Sequence, residues 1–171
     1  MRRSKALLAT ALGVVAIGAS ALTHRPSPRA PDQSPLLRGA RIDPVTLGIV
    51  ERSCQNCHSE RTEWPWYSHL PPASWLLHRD VAQARNRMNL SRWDGYTPAE
   101  QQALLSAIGG AARTGVMPPR RYTVLHPSSV LSPQERETLY RWTRAERSRL
   151  RTSEDPSVRP RDNRFLWDRR F

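Results

Sequence analysis

The chain has two cysteines in 171 residues, and both stand in Cys54-Gln55-Asn56-Cys57-His58. Two thiols separated by two residues, with a histidine directly after the second, form the pattern of covalent haem attachment. On a helix, residues three and four apart share one face, so Cys54 and Cys57 can reach the two vinyl groups on one edge of a porphyrin. His58 then presents its imidazole to the iron. Three other chemistries use the same residue types. The pair could close a structural disulfide in an exported protein. It could be a redox-active dithiol, although that expects a βαβ context that the sequence lacks. It could also supply half of a zinc site, with His69 and His78 the nearest residues able to complete it. A haem-free thiol–disulfide oxidoreductase is therefore a rival function.

Haem iron takes a sixth ligand or leaves that position open. The available side chains are Met117, Met88, His69, His78 and His126. Met117 is the first choice. It sits in Gly115-Val116-Met117-Pro118-Pro119, where two prolines stiffen the loop and hold the thioether in place. Methionine opposite histidine raises the potential of a haem. The competing role for Met117 is to fill a gap in the core. His78, inside an amphipathic segment, is second; Met88, between Arg87 and Asn89, reads as a helix-end residue. His126 could cap the haem edge or stabilise the turn before Pro127. The run Trp64-Pro65-Trp66-Tyr67-Ser68 follows the cysteines closely. Its rings would keep water from a cofactor and offer an indole N–H or phenol O–H to a propionate, though rings in an ordinary core look the same. The cofactor-binding set is thus Cys54, Cys57, His58, Met117, Trp64, Trp66 and Tyr67, with His58 and Met117 on the iron. No side chain is assigned acid–base work.

Positioning these residues calls for helices. Asp43-Pro44 is a helix start, cap then proline at the first helical position, and the helix is expected to run through Val45, Ile49 and Val50 to about Cys57. A loop rich in tryptophan and proline follows, from Arg61 to Pro72. A second helix is expected from Ala73 to about Arg87, with Trp75, Leu76, Val81 and Ala84 available to the core. Thr97-Pro98-Ala99-Glu100 is a capping box that opens a third helix, carrying Leu104, Leu105 and Ile108 towards Thr114. Ser132-Pro133-Gln134-Glu135 repeats the device for a fourth helix, bearing Leu139 and Trp142 and ending near Arg149. No strand pair and no repeat is evident, so the fold class is all-α.

The N-terminus reads as an export signal. Arg2, Arg3 and Lys5 precede the apolar or small stretch from Ala6 to Leu22, and Ala19-Ser20-Ala21 supplies a cleavage pattern. Residues 1–21 are thus a signal peptide or, uncleaved, an N-terminal membrane anchor. Residues 22–42, with Pro26, Pro28, Pro31 and Pro35, form an extended linker. Residues 43–150 are the domain, and 151–171 a charged tail. The expected location is periplasmic or otherwise exported, which suits haem attachment outside the cytoplasm. The net charge of +12 is almost all arginine, since Lys5 is the lone lysine. Export argues against nucleic acid as the partner of this charge. Acidic proteins or anionic lipid headgroups remain, as does plain solvation of the arginines.

Residues 43–142 resemble the bacterial haem-binding domain family, related to the small mono-haem cytochromes c. The resemblance rests on Cys54-Gln55-Asn56-Cys57-His58-Ser59, Thr62-Glu63-Trp64-Pro65-Trp66-Tyr67-Ser68, Pro72-Ala73-Ser74-Trp75-Leu76 and Asp80-Val81. Asn89-Leu90-Ser91-Arg92-Trp93, Met117-Pro118-Pro119, Tyr122, His126-Pro127 and Leu131-Ser132 complete it. Ala84-Arg85 stands where the family usually has Gly-Arg, and Leu90 where it has Phe. The resemblance implies a cytochrome-c-like helical fold around one covalent haem c. It leaves the physiological role open. One-electron transfer to a redox partner protein, acidic or membrane-bound, is the expected function. A peroxidase or a gas or redox sensor with a labile distal ligand is the alternative.

Overall fold

The computed structural model describes residues 35–154. The signal or anchor at 1–21, most of the linker, and the tail beyond 154 lie outside the described residues. Those that are described form an all-helical fold: α1 Pro44–Ser53, α2 Gln55–His58, α3 Ala73–Arg87, α4 Pro98–Thr114, α5 Arg120–Thr123 and α6 Pro133–Glu154. Short 3-10 turns stand at Trp66–His69, Leu90–Gly95 and Pro127–Ser129. No helix among the described residues is long and apolar enough to cross a membrane. The chain divides into two compact units, Gln55–Ser91 and, separately, Leu36–Cys54 with the stretch from Arg92 onward.

The second unit is organised by α4 and α6, which pack along each other, with α1 against α6. Each of the three helices begins as the sequence suggests. The Asp43 carboxylate accepts from Thr46 N at 3.0 Å and from Thr46 Oγ1 at 2.6 Å. Thr97 and Glu100 cap reciprocally, with Thr97 N donating to Glu100 Oε2 at 2.7 Å and Glu100 N to Thr97 Oγ1 at 3.3 Å. Ser132 and Glu135 do the same at 2.8 and 3.2 Å. These bonds satisfy amide donors that the first helical turn leaves without intrahelical partners. They also hold the carboxyl groups of Asp43, Glu100 and Glu135 below their usual pKa values. At the other end of α4, Gly115 stops the helix at φ +70°, a left-handed conformation that costs glycine little. The core between these helices is apolar and includes Ile49, Val50, Leu105, Leu139, Trp142 and Leu150.

The linker expected over 22–42 ends earlier than the sequence suggests. Leu36 and Leu37 are buried, and Leu37 takes up φ 54°, unfavourable for a leucine. Trp142 Nε1 donates to Arg41 O at 2.8 Å, and Arg41 N donates to the buried carboxylate of Glu146 at 3.2 Å. Burial of two leucines, worth about 1.5–3 kcal/mol each, outweighs the strained backbone. The folded region therefore starts before Asp43, and α6 runs on to Glu154 rather than ending near Arg149.

In the first unit α2 packs on α3, and so does the 3-10 turn at Trp66–His69. Its buried hydrophobic side chains are Val81 and Leu90. Trp75 and Leu76, expected in the core, are exposed, as is Val45 on α1 in the other unit.

Candidate functional site

Cys54 closes α1. Its N–H donates to Val50 O at 2.8 Å, but its own backbone, φ −125° and ψ −33°, leaves the helical region. Gln55–His58 is a separate turn, so the expected helix from Asp43 to Cys57 is broken at the first cysteine, and Cys54 and Cys57 do not share one continuous helical face. The physical reason lies in polar side chains that offer the backbone other partners. Ser59 Oγ donates to Gln55 O at 2.8 Å and Thr62 Oγ1 to Asn56 O at 2.7 Å, while Glu63 N donates to Asn56 Oδ1 at 3.1 Å. Both cysteines are half-buried.

His58 is held from α3. Its Nδ1 lies 3.2 Å from the main-chain oxygen of Met88. A carbonyl only accepts, so Nδ1 carries the proton and the lone pair of the neutral ring sits on Nε2. Burial pushes the imidazole below its ordinary pKa, against the carbonyls of Met88 and Ala84, which pull it up; Arg87 adds to the lowering. The ring is thereby kept in the neutral, oriented form that ligates a metal. Met88 thus contributes its carbonyl here.

The residues just after His58 are fastened by a group that the sequence reading had not assigned a role. Arg85 Nε donates to Ser59 O at 2.8 Å, its Nη2 donates to Thr62 Oγ1 at 2.8 Å, and its Nη1 stands 3.0 Å from Glu60 Oε2. Asn89 Nδ2 donates to Glu60 Oε1 at 2.8 Å, and Glu60 N to Ser91 Oγ at 3.1 Å. Arg85, Glu60, Asn89 and Ser91 thus tie the stretch after His58 to the end of α3 and the turn that follows it. The polar run Asn89-Leu90-Ser91 just after a helix was the available signal.

Trp64 stacks on His78 with ring centroids 4.4 Å apart, which places the runner-up ligand against an indole. Tyr67 meets the edge of Trp66 at 5.8 Å. Trp66 itself is 77% exposed, and Trp64, Leu70, Trp75 and Leu76 are exposed too. Ser68 carries a buried hydroxyl without a hydrogen-bond partner among the described residues. A patch of large rings left to water in one small unit marks a surface that something apolar covers. With two half-buried thiols and an imidazole whose Nε2 lone pair is available, these residues fit a haem.

Met117 belongs to the second unit. It is 40% exposed, in a stretch where Val116, Val124 and Leu125 are also exposed, and Tyr122 stacks on His126 at 4.3 Å. It is not the gap-filler of a closed core. Cys57, His58, Trp64, Trp66 and Tyr67 all lie in the first unit, and Cys54 ends α1 directly before it. His69 is exposed at the end of its 3-10 turn. Among the described residues no group of three or more His, Cys, Asp or Glu could hold a metal.

A sequence profile described as a haem-binding domain matches residues 13–145. Cytochrome c peroxidase Ccp of Escherichia coli (strain K12) is 29% identical over 120 residues, covering 68% of this chain and 26% of that protein. The chain thus spans about a quarter of the length of this relative. No solved structure matches.

Proposed function

The chain belongs to the haem-binding domain family, and on that premise we propose that it is an exported c-type cytochrome that carries single electrons. One haem is held by thioethers on Cys54 and Cys57, with His58 and Met117 on its iron. When bound, the haem supplies an iron that alternates between ferrous and ferric states. The observation that carries the reading is the bond from His58 Nδ1–H to Met88 O, which leaves a neutral Nε2 lone pair able to ligate iron on the residue directly after Cys57. Around it Arg85 and Glu60 hold the loop after His58 in place. Trp64, Trp66 and Tyr67 exclude water and offer N–H and O–H groups to the propionates. The Met117 thioether favours the reduced state and so raises the potential.

Protein made in a host with the cytochrome c maturation machinery tests this directly. A denaturing gel stained for haem should colour the protein band, and a colourless band rejects the proposal. Met117→Ala should lose the weak far-red band of sulfur-ligated ferric haem and lower the potential. A far-red band that survives the substitution rules Met117 out, and His78→Ala then becomes the variant to examine.

The resemblance to a cytochrome c peroxidase supports a second reading, a peroxidase with a labile distal ligand. Such an enzyme needs a distal acid–base group. The candidates His78 and His126 are both stacked on aromatic rings. Rapid carbon monoxide binding by the wild-type protein, with turnover of peroxide, would favour the enzyme over the carrier.

A further inference from the structure

In the second unit a cleft of about 490 Å³ opens between α4 and α6, and none of the residues lining it is assigned to the haem. Arg113, Arg144 and Arg147 line it, along with Tyr140 and Ser106, and no lining residue is acidic. The Arg113 guanidinium lies 4.3 Å above the Tyr140 ring and that of Arg144 5.8 Å from it. Among the described residues no carboxylate pairs with any of the three. Arg147 Nε is buried and has no hydrogen-bond partner among the described residues.

We propose that this cleft binds a phosphoryl oxyanion. Arg147 lines the cleft with a guanidinium whose charge no carboxylate among the described residues balances, and an incoming anion supplies that balance. The Tyr140 ring carries two further cations. The ring offsets their charge only in part, since a cation–π contact at an exposed site is weak. An anion would relieve both conditions at once. Three planar donor forks ask for more acceptor atoms than the two oxygens of a carboxylate, whereas a phosphoryl group presents three or more and up to two charges. The cleft volume lies within the range of small-molecule sites. Its wall is open at Gly110, where a Cβ would meet nothing within 4 Å. A free phosphate or phosphomonoester and a phospholipid headgroup share this chemistry.

The test uses the haem-loaded protein. Inorganic phosphate is titrated at low ionic strength by calorimetry, with the Arg Nε–H resonances followed by NMR. In parallel, flotation compares vesicles of phosphatidylglycerol with vesicles of phosphatidylcholine. Phosphate should bind and shift the Arg147 Nε–H signal, and Arg147→Gln and Arg113→Gln should each weaken binding about tenfold or more. Arg141→Gln, which removes a charge from α6 outside the cleft, should leave binding unchanged. Binding to phosphatidylglycerol vesicles alone, lost in the same two variants, would identify a lipid headgroup as the source. The proposal is overturned if neither ligand binds, if both cleft variants bind like the wild type, or if Arg141→Gln weakens binding as much as they do. Arg113 is exposed, so Arg113→Gln keeps the test valid should Arg147→Gln fail to fold.

Discussion

The two units bury very different things. Among the described residues eleven hydrophobic side chains are buried in the second unit, Trp93, Leu105, Leu139 and Trp142 among them, and two in the first, Val81 and Leu90. What the first unit buries instead is polar: Ser59, Ser68 and Asn89. Its rings face outward. A unit of this size that buries so little apolar surface cannot offset the entropy of ordering its own chain. Its order rests on hydrogen bonds to the backbone and on whatever covers Trp64, Trp66 and Trp75. The second unit needs no such cover. The contrast separates a scaffold that folds on its own side chains from a unit that, on the proposed function, its haem would complete.

The largest expected effect follows from removing that cofactor. In chain made without haem attachment, or in Cys57→Ala, amides of residues 55–91 should exchange about 100-fold faster than those of α4 and α6, as expected when local opening costs far less than global unfolding. Equal protection in both units would end the comparison. Core truncation comes next. Leu139 is 1% exposed, so Leu139→Ala should cost about 2–5 kcal/mol in denaturant unfolding. Trp66→Ala in the haem-free chain should change stability by less than about 0.5 kcal/mol, because that ring has little to lose.

A smaller pair of effects lies within α4. A Cβ at Gly109 would stand 2.5 Å from Thr143 Oγ1, and Thr143 is buried and hydrogen-bonded to Tyr140 O. Gly109→Ala should therefore destabilise by about 1–3 kcal/mol. Gly110→Ala, with open space around it, should stabilise by about 0.4–1 kcal/mol. Thermal unfolding of the two variants side by side reads the difference.

The smallest effect is the acid sensitivity of the helix caps in the second unit. The capping hydrogen bonds lower the pKa of Asp43, Glu100 and Glu135 from ordinary values of 3.8, 4.5 and 4.5. At low pH the unfolded chain then binds more protons than the folded one, so stability rises with pH there. The contribution is complete above the unfolded values and is lost as pH falls through the lowered ones. Denaturant midpoints should fall as pH drops below 4.5, and Glu135→Gln should flatten that slope. An unchanged slope would mean that the cap at α6 does not titrate in this window.

What the sequence alone determined about this protein is local or covalent. The starts at Asp43, Thr97 and Ser132 are readable because each cap joins groups three residues apart. The haem-binding family is readable because its motifs, Cys54-Gln55-Asn56-Cys57-His58 among them, are runs of neighbours along the chain, and the all-helical class because periodicity and caps agree. Only the tertiary structure decided the rest. The helix break at Cys54 depends on side chains that leave the helix for backbone oxygens. The burial of Leu36 and Leu37 and the bond from Arg41 to Glu146 join residues more than a hundred positions apart. The Arg85 clamp joins residues 26 apart. The outward position of Trp75 and Leu76 has no local signal, because apolar periodicity marks a face that must be covered without saying by what. Local hydrogen bonding and covalent spacing act within a few residues and can be read in order. Burial depends on which distant surface arrives, and that is a property of the packed chain.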